Sequence, residues 1–157
     1  LGTAPATAKP FGAGLFTSTG VLGGHGMWRT YLDRNRWSTL HPLPWHTWRL
    51  TPRPDAVVHE ISSAAQWVDF VRSYPLRRGA LVYPDWPSAA RDLDAVHVTL
   101  RAIAAIQGLR FPAGEFPADE FPADGAAVAA SYWDVESTFW LRWSFTAAEL
   151  VEQVEDG

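Results

Sequence analysis

The stretch Tyr132-Trp133-Asp134-Val135-Glu136-Ser137-Thr138-Phe139-Trp140-Leu141-Arg142-Trp143, read as a strand, divides into two faces. Trp133, Val135, Ser137, Phe139, Leu141 and Trp143 fall on one side and are almost all apolar. Tyr132, Asp134, Glu136, Thr138, Trp140 and Arg142 fall on the other, where carboxylates, a hydroxyl and a guanidinium mix with two large rings. That second face is too polar for a core and too aromatic for an idle surface. A carboxylate fixed on a strand between aromatic walls suits catalysis, because rigid elements hold chemistry in place and apolar walls sharpen electrostatics. Glu136, at the centre of the face, is therefore the first candidate catalytic residue. The competing reading is an outer sheet face on which Asp134, Glu136 and Arg142 are solvated or paired.

Around this stretch, 157 residues fit a single domain, 1–157, large enough for a real core, and 47% hydrophobic against 19% charged residues implies an ordered fold. A net charge of -4 and scattered Lys and Arg give no basic stripe, so nucleic acid is not indicated as a partner. With no cysteine, disulfides and thiolate metal sites are excluded. The five histidines, at 25, 41, 46, 59 and 97, form no helical ligand pair, and Pro42 and Pro44 interrupt the interval from His41 to His46, so no metal is expected. No apolar run reaches the ~18 residues a membrane helix needs. Residues 1–10 lack a charged start followed by an apolar stretch, so no signal peptide is expected and a cytoplasmic place is favoured over a secreted one. The chain opens on Leu1, which fits a trimmed or processed product or a domain cut from a longer protein.

Taken in order, residues 1–10 read as a loose lead-in, and Leu15-Phe16-Thr17-Ser18-Thr19 as a short hydroxyl-rich strand closed by Gly20. Trp28, Tyr31 and Leu32 have helical spacing in a short helix that runs out near Asn35. Trp45 to Leu50 reads as a strand, Thr51 to Asp55 as a turn and Ala56 to Ile61 as a strand that could close a hairpin with it. Ser63-Ala64-Ala65-Gln66 has capping-box spacing ahead of a stripe formed by Trp67, Phe70, Val71 and Tyr74, and Pro75 ends that helix. Gly79 to Tyr83 is a short strand, Pro87 stands at a helix start running to Leu93, and Asp94 to Leu100 is a strand with Val96 and Val98 inward and His97 and Thr99 opposite. Residues 101–107 read equally as helix or apolar edge. The repeat Phe111-Pro112-Ala113-Gly114-Glu115, Phe116-Pro117-Ala118-Asp119-Glu120, Phe121-Pro122-Ala123-Asp124-Gly125 reads as a surface loop over 109–127, its prolines preventing ladder pairing. Thr146-Ala147-Ala148-Glu149 has capping-box spacing for a last helix. Strands with short helices between them and no strict βαβ alternation define the expected class: α+β, with a mixed, mostly antiparallel sheet and short interspersed helices.

The hydroxyl strand at Thr17, Ser18 and Thr19, the aromatic helix with Trp28 and Tyr31, and the acidic strand Asp134-Val135-Glu136-Ser137-Thr138 resemble, in order and character, the ADP-ribosyltransferase superfamily. The resemblance implies an ADP-ribosyltransferase-like fold and an NAD-dependent ADP-ribosyltransferase or NAD glycohydrolase. It makes NAD the substrate, with no metal and with an unknown macromolecular or small-molecule acceptor. In that reading Glu136 holds a ribose hydroxyl and stabilises the oxocarbenium-like centre as nicotinamide leaves. Thr17, Ser18 and Thr19 brace the glutamate or a ribose, and Trp28 and Tyr31 bind the nicotinamide, Tyr31 resembling the tyrosine that stacks on that ring. The first motif of the superfamily, an early His or Arg, has no counterpart before His25; it lies upstream of Leu1, or another residue such as His97 serves.

Two other classes fit parts of the pattern. Nine tryptophans suit a non-catalytic binding module for a small molecule, glycan or protein partner, with Trp37, Trp45 and Trp48 forming an aromatic shelf. Asp134 and Glu136, about 7 Å apart along one strand face, also make a glycosidase-like carboxylate pair.

Overall fold

The computed structural model describes residues 14–20, 26–36, 42–107, 111–112, 127–129, 131 and 133–155, residues 111–112 by their backbone alone. The chain runs β1 (Leu15–Thr17), α1 (Met27–Arg34), β2 (Trp45–Pro52), β3 (Val58–Ile61), α2 (Ala64–Ser73), β4 (Pro75–Arg78), β5 (Leu81–Pro84) and α3 (Trp86–Asp92). It continues through β6 (Ala95–Val98), α4 (Leu100–Ile106), β7 (Phe111–Pro112), β8 (Ala127–Val128), β9 (Ser137–Trp140) and β10 (Phe145–Val154). The class is α+β, as the sequence implies. One sheet has the order β1-β9-β6-β3, a second is the ribbon β10-β2, and a third has the order β4-β5-β8-β7. Neighbours are antiparallel except β3 with β6 and β5 with β8.

The core lies against one face of the first sheet. Val96 and Val98 alternate inward on β6, with Phe139 on β9 and Ile61 on β3, and all four are fully buried. Helices α2, α3 and α4 cover them with Trp67, Phe70, Val71, Trp86, Ala102, Ile103 and Ile106. Each large apolar side chain so buried contributes about 1.5–3 kcal/mol. Trp67 also satisfies its one donor, the Nε1–H reaching Ala129 O at 2.9 Å. Helix α2 begins where the capping spacing puts it: Ser63 Oγ accepts from Gln66 N, and Gln66 Oε1 accepts from Ser62 N at 2.8 Å. The β4–β5 hairpin turns through Gly79, whose φ of 58° suits a residue without a Cβ.

The opening stretch keeps its inner face as far as Leu141: Trp133, Val135, Ser137, Phe139 and Leu141 are all buried. Its strand covers only 137–140, after which the chain bends and leaves Trp143 66% exposed instead of inward.

Three further expectations are overturned. The strands flanking the turn at Pro54 do not form a hairpin. Val57 N donates to Asp94 Oδ2 at 2.7 Å, which steers the chain into the first sheet, so β3 pairs with β6 in parallel while β2 pairs with β10. The expected last helix is the long strand β10, because an isolated ten-residue helix is marginal and the β2 ladder, helped by Thr146 Oγ1 donating to Thr51 O, outweighs alanine propensity. Within the repeat, Phe111–Pro112 does pair, with Ala127–Val128, because β7 is an edge strand, where proline costs no ladder bond. Most of that repeat, and the lead-in 1–10, lie outside the described residues.

Candidate active site

The face of the first sheet that turns away from the core carries a transverse polar row. Register aligns Thr17 with Thr138, Thr138 with His97, and His97 with Glu60, one residue from each of the four strands. Side chains alternate along a strand, so the inward setting of Phe139, Val96 and Ile61 puts these four on the outer face.

Glu136, two residues before Thr138, turns back over this row. Its Oε1 accepts from Thr19 Oγ1 at 2.8 Å and lies 3.4 Å from His97 Nε2. The Thr19 backbone N–H is 3.4 Å from both carboxylate oxygens. On the other side of the imidazole, Nδ1 lies 2.9 Å from Thr138 Oγ1. A carboxylate only accepts, whereas a hydroxyl can donate, so the network is satisfied when Nε2 carries its hydrogen toward Glu136 and Thr138 donates to Nδ1. The His97 and Glu136 side chains are 15% and 12% exposed, enough to meet a ligand and too little to be freely solvated. Oε1 is thus engaged by a hydroxyl and an imidazole. Among the described residues, Oε2 has only the long Thr19 amide contact.

The hydroxyl patch divides its labour. Thr17 Oγ1 accepts from Trp140 Nε1 at 2.9 Å and so docks the strand partner. Ser18 Oγ accepts from Trp28 N at 3.2 Å. This contact caps α1 from outside, because the residue at its own N-cap, Gly26, has no side chain. A Cβ at Gly26 would stand 2.3 Å from Ser18 Oγ, so glycine is what lets α1 approach β1. Thr19 alone of the three bonds to Glu136. Trp28 and Tyr31 sit edge to face with centroids 5.7 Å apart, and the link from Glu136 to these rings runs through Thr19 and Ser18. The far side of α1 is tied to the ribbon by Arg29, which pairs with Glu152 at 3.0 Å and lies 5.7 Å over the Trp45 ring.

Asp134 does not join this group: it is exposed and accepts from Gln107 Nε2 at 3.0 Å, so the two carboxylates of the opening stretch have different surroundings. The proposed tryptophan shelf is divided too. Trp45 is buried beneath Arg29 and Arg36, Trp48 is 54% exposed, and Trp37 lies outside the described residues. Two surface hollows occur elsewhere. One, of about 380 Å³, is lined by Tyr74, Asp85, Ser88, Arg91 and Asp92, whose polar groups already bond to one another through Tyr74 Oη to Asp92, Ser88 Oγ to Asp85, and Arg91 to Ser88. The other, of about 260 Å³, is lined by His59, Asp69 and Phe70. Neither includes Glu136.

His97 is the residue that sequence reasoning underweighted. Its alternation against Val96 and Val98 put it on the outer face, but its neighbour across the sheet is 39 residues away in sequence at Glu136. Asp94, by contrast, is a buried carboxylate of structural use. Val57 N, Ser144 Oγ and Arg142 Nε all reach it within 2.8 Å, and the Val57 amide first, then Ser144 and Arg142, hold its pKa below the ordinary range against the cost of burial. Among the described residues no group of three or more His, Cys, Asp or Glu could hold a metal ion, and no helix is long and apolar enough to cross a membrane. No family model matches the chain, and neither curated proteins nor solved structures give a match.

Proposed function

We propose that the protein cleaves the bond between nicotinamide and ribose in NAD, passing ADP-ribose to water or to an acceptor molecule. The observation that carries this reading is the state of Glu136: one oxygen held by Thr19 and His97, the other open on a sheet face beside the aromatic helix. As nicotinamide leaves, positive charge develops on the ribose. A carboxylate already fixed by its donors stabilises that charge without reorganising, and electrostatic groups of this kind are worth roughly 10²–10³ in rate. The free Oε2 suits a ribose hydroxyl, while the Trp28 and Tyr31 rings offer flat apolar surface to the leaving group. Thr19 and His97 are positioning residues in this account. They keep the carboxylate aimed, and neither reacts.

The test is nicotinamide release from NAD by the purified chain, compared with Glu136→Gln. Loss of about 10²-fold or more on that substitution, with the fold intact, is expected; equal release by both removes the assignment. One observation favours a second reading: Trp48 is exposed and lies directly opposite Leu150, itself 45% exposed, on the β2–β10 ribbon. That pair suits a binding module for an apolar partner. A wild-type chain that releases no nicotinamide leaves this module as the surviving account.

A further inference from the structure

We infer that Glu60 is a second catalytic carboxylate of this site, the base that deprotonates an attacking water, so that the reaction begun at Glu136 ends in hydrolysis. The inference rests on the NAD-cleaving reading above. Its starting point is the register His97 with Glu60, which puts Glu60 on the outer face of the sheet beside the imidazole that contacts Glu136. Its sequence neighbours confirm the side: Ile61 is fully buried, and the His59 ring stacks on Phe70 of the core at 5.5 Å. Glu60 must therefore point the other way.

Strand order then sets the distance. Glu60 is on β3 and Glu136 leads into β9, with β6 alone between them. Two strand spacings of ~4.8 Å put the β3 and β9 backbones about 10 Å apart, and the position of Glu136 two residues before Thr138 adds about 7 Å along the strand, so the two backbone positions stand roughly 12 Å apart. The Glu136 side chain leans back toward β6, as its contact with His97 requires, which shortens the gap between the carboxyl groups. Carboxyls roughly 6.5–9.5 Å apart are those that act from opposite sides of a glycosidic centre with a water between them. The two groups also differ in the way this chemistry demands. Glu136 is nearly enclosed and already engaged by Thr19 and His97. Glu60 is exposed on the edge strand, open to solvent, and has no ion pair or side-chain hydrogen bond among the described residues. His97 stands between them with Nε2 toward Glu136 and Nδ1 accepting from Thr138, so neither ring nitrogen is left to take a proton from water, and the base falls to Glu60.

The step balances. The bond from ribose C1′ to the nicotinamide nitrogen breaks, and its electron pair leaves with nicotinamide. Water oxygen forms the new bond to C1′ from the opposite side, and its proton passes to Glu60, which later releases it to solvent. The products are nicotinamide and ADP-ribose of inverted configuration at C1′.

The experiment compares wild type, Glu60→Gln and Glu136→Gln for ADP-ribose formed from NAD, with and without sodium azide. Azide is an anion that attacks without losing a proton, so it replaces water plus base and nothing else. Glu60→Gln is expected to lose about 10²–10⁴ of the hydrolytic rate. Azide should restore its nicotinamide release and give ADP-ribosyl azide, while Glu136→Gln stays inactive with azide. A merely structural role for Glu60 would give no azide rescue, and Glu60→Asp, which keeps the carboxylate, should retain part of the activity. Activity lost in Glu136→Gln but kept in Glu60→Gln overturns this inference alone, as does a Glu60→Gln defect that azide leaves unchanged. A wild-type chain without nicotinamide release overturns both this inference and the reading beneath it.

Discussion

Replacing Asp94 tests how the sheet that carries the site is held together. The Asp94 residue is 3% exposed and accepts from Val57 N at 2.7 Å, Ser144 Oγ at 2.8 Å and Arg142 Nε at 2.7 Å. Its backbone adds two further ties, Asp94 N to Val57 O at 2.8 Å and Leu141 N to Asp94 O at 2.9 Å. One residue thus joins the entry to β3, the entry to β6 and the turn between β9 and β10. Hydrogen bonds to a charged group contribute roughly 1.5–3 kcal/mol each. The Arg142 contact counts least, because that side chain is 47% exposed and water replaces its partner. The Val57 amide and the Ser144 hydroxyl, the latter on a residue 1% exposed, are left without an acceptor in Asp94→Ala. Losing these two bonds to a charged acceptor costs about 3–5 kcal/mol together, a large share of the roughly 5–15 kcal/mol that holds a domain folded. Asp94→Asn keeps one acceptor oxygen and should lose less.

The sign of the pH dependence follows from the lowered Asp94 pKa. The ordinary value is 3.8 and the folded value lies below it, so the stabilisation is fully present above 3.8 and is lost as pH falls through the folded pKa. Urea unfolding of wild type and Asp94→Ala at neutral pH and in acid measures both effects. The expected gap is about 3–5 kcal/mol at neutral pH, narrowing below 3.8. A gap under about 1 kcal/mol at neutral pH, or one that persists undiminished in acid, would refute the reasoning.

Two further outcomes are expected from the same structure. Gly26→Ala sets a methyl group 2.3 Å from Ser18 Oγ and 3.0 Å from Thr19 O; it should cost about 1 kcal/mol through the lost cap on α1 and slow nicotinamide release by displacing Thr19 from Glu136, and unchanged stability and rate would contradict the close approach. Among the described residues, the buried Nε2 of His59 has no hydrogen-bond partner, and burial lowers its pKa from 6.5, so the neutral ring stabilises the fold above 6.5 and that contribution is lost as pH falls below it; His59→Phe should flatten the loss of stability in mild acid seen by urea unfolding, and an unaltered pH slope would count against it.

Local signals in the sequence carried the elements they govern. Ser63 and Gln66 mark the start of α2 because a cap is made within one turn, and the alternation of Val96, His97 and Val98 reveals both faces of β6 because side-chain direction has a period of two. The inner face of the opening stretch was legible for the same reason, until the bend at Leu141 and Arg142 turned Trp143 outward. What failed was pairing at long range. Nothing near Trp45 to Pro52 indicates that its partner is Phe145 to Val154, and the alanines and glutamate of that partner favour a helix until β2 supplies the ladder. The site shows the same division. Glu136 and the hydroxyl patch could be picked out by residue type, but that Thr19 and not Thr17 reaches the carboxylate depends on β1 ending at Thr17, and the His97 contact depends on β6 lying beside β9.

The central claim is that the open oxygen of Glu136 receives the nicotinamide ribose. A crystal structure with a non-cleavable NAD analogue tests it most directly. The account predicts a ribose hydroxyl within about 2.5–3.0 Å of Glu136 Oε2, with Thr19 still on Oε1 and the nicotinamide ring against α1. An analogue seated instead in the hollow at Tyr74 and Asp92, or on the Trp48 face of the ribbon, would contradict it.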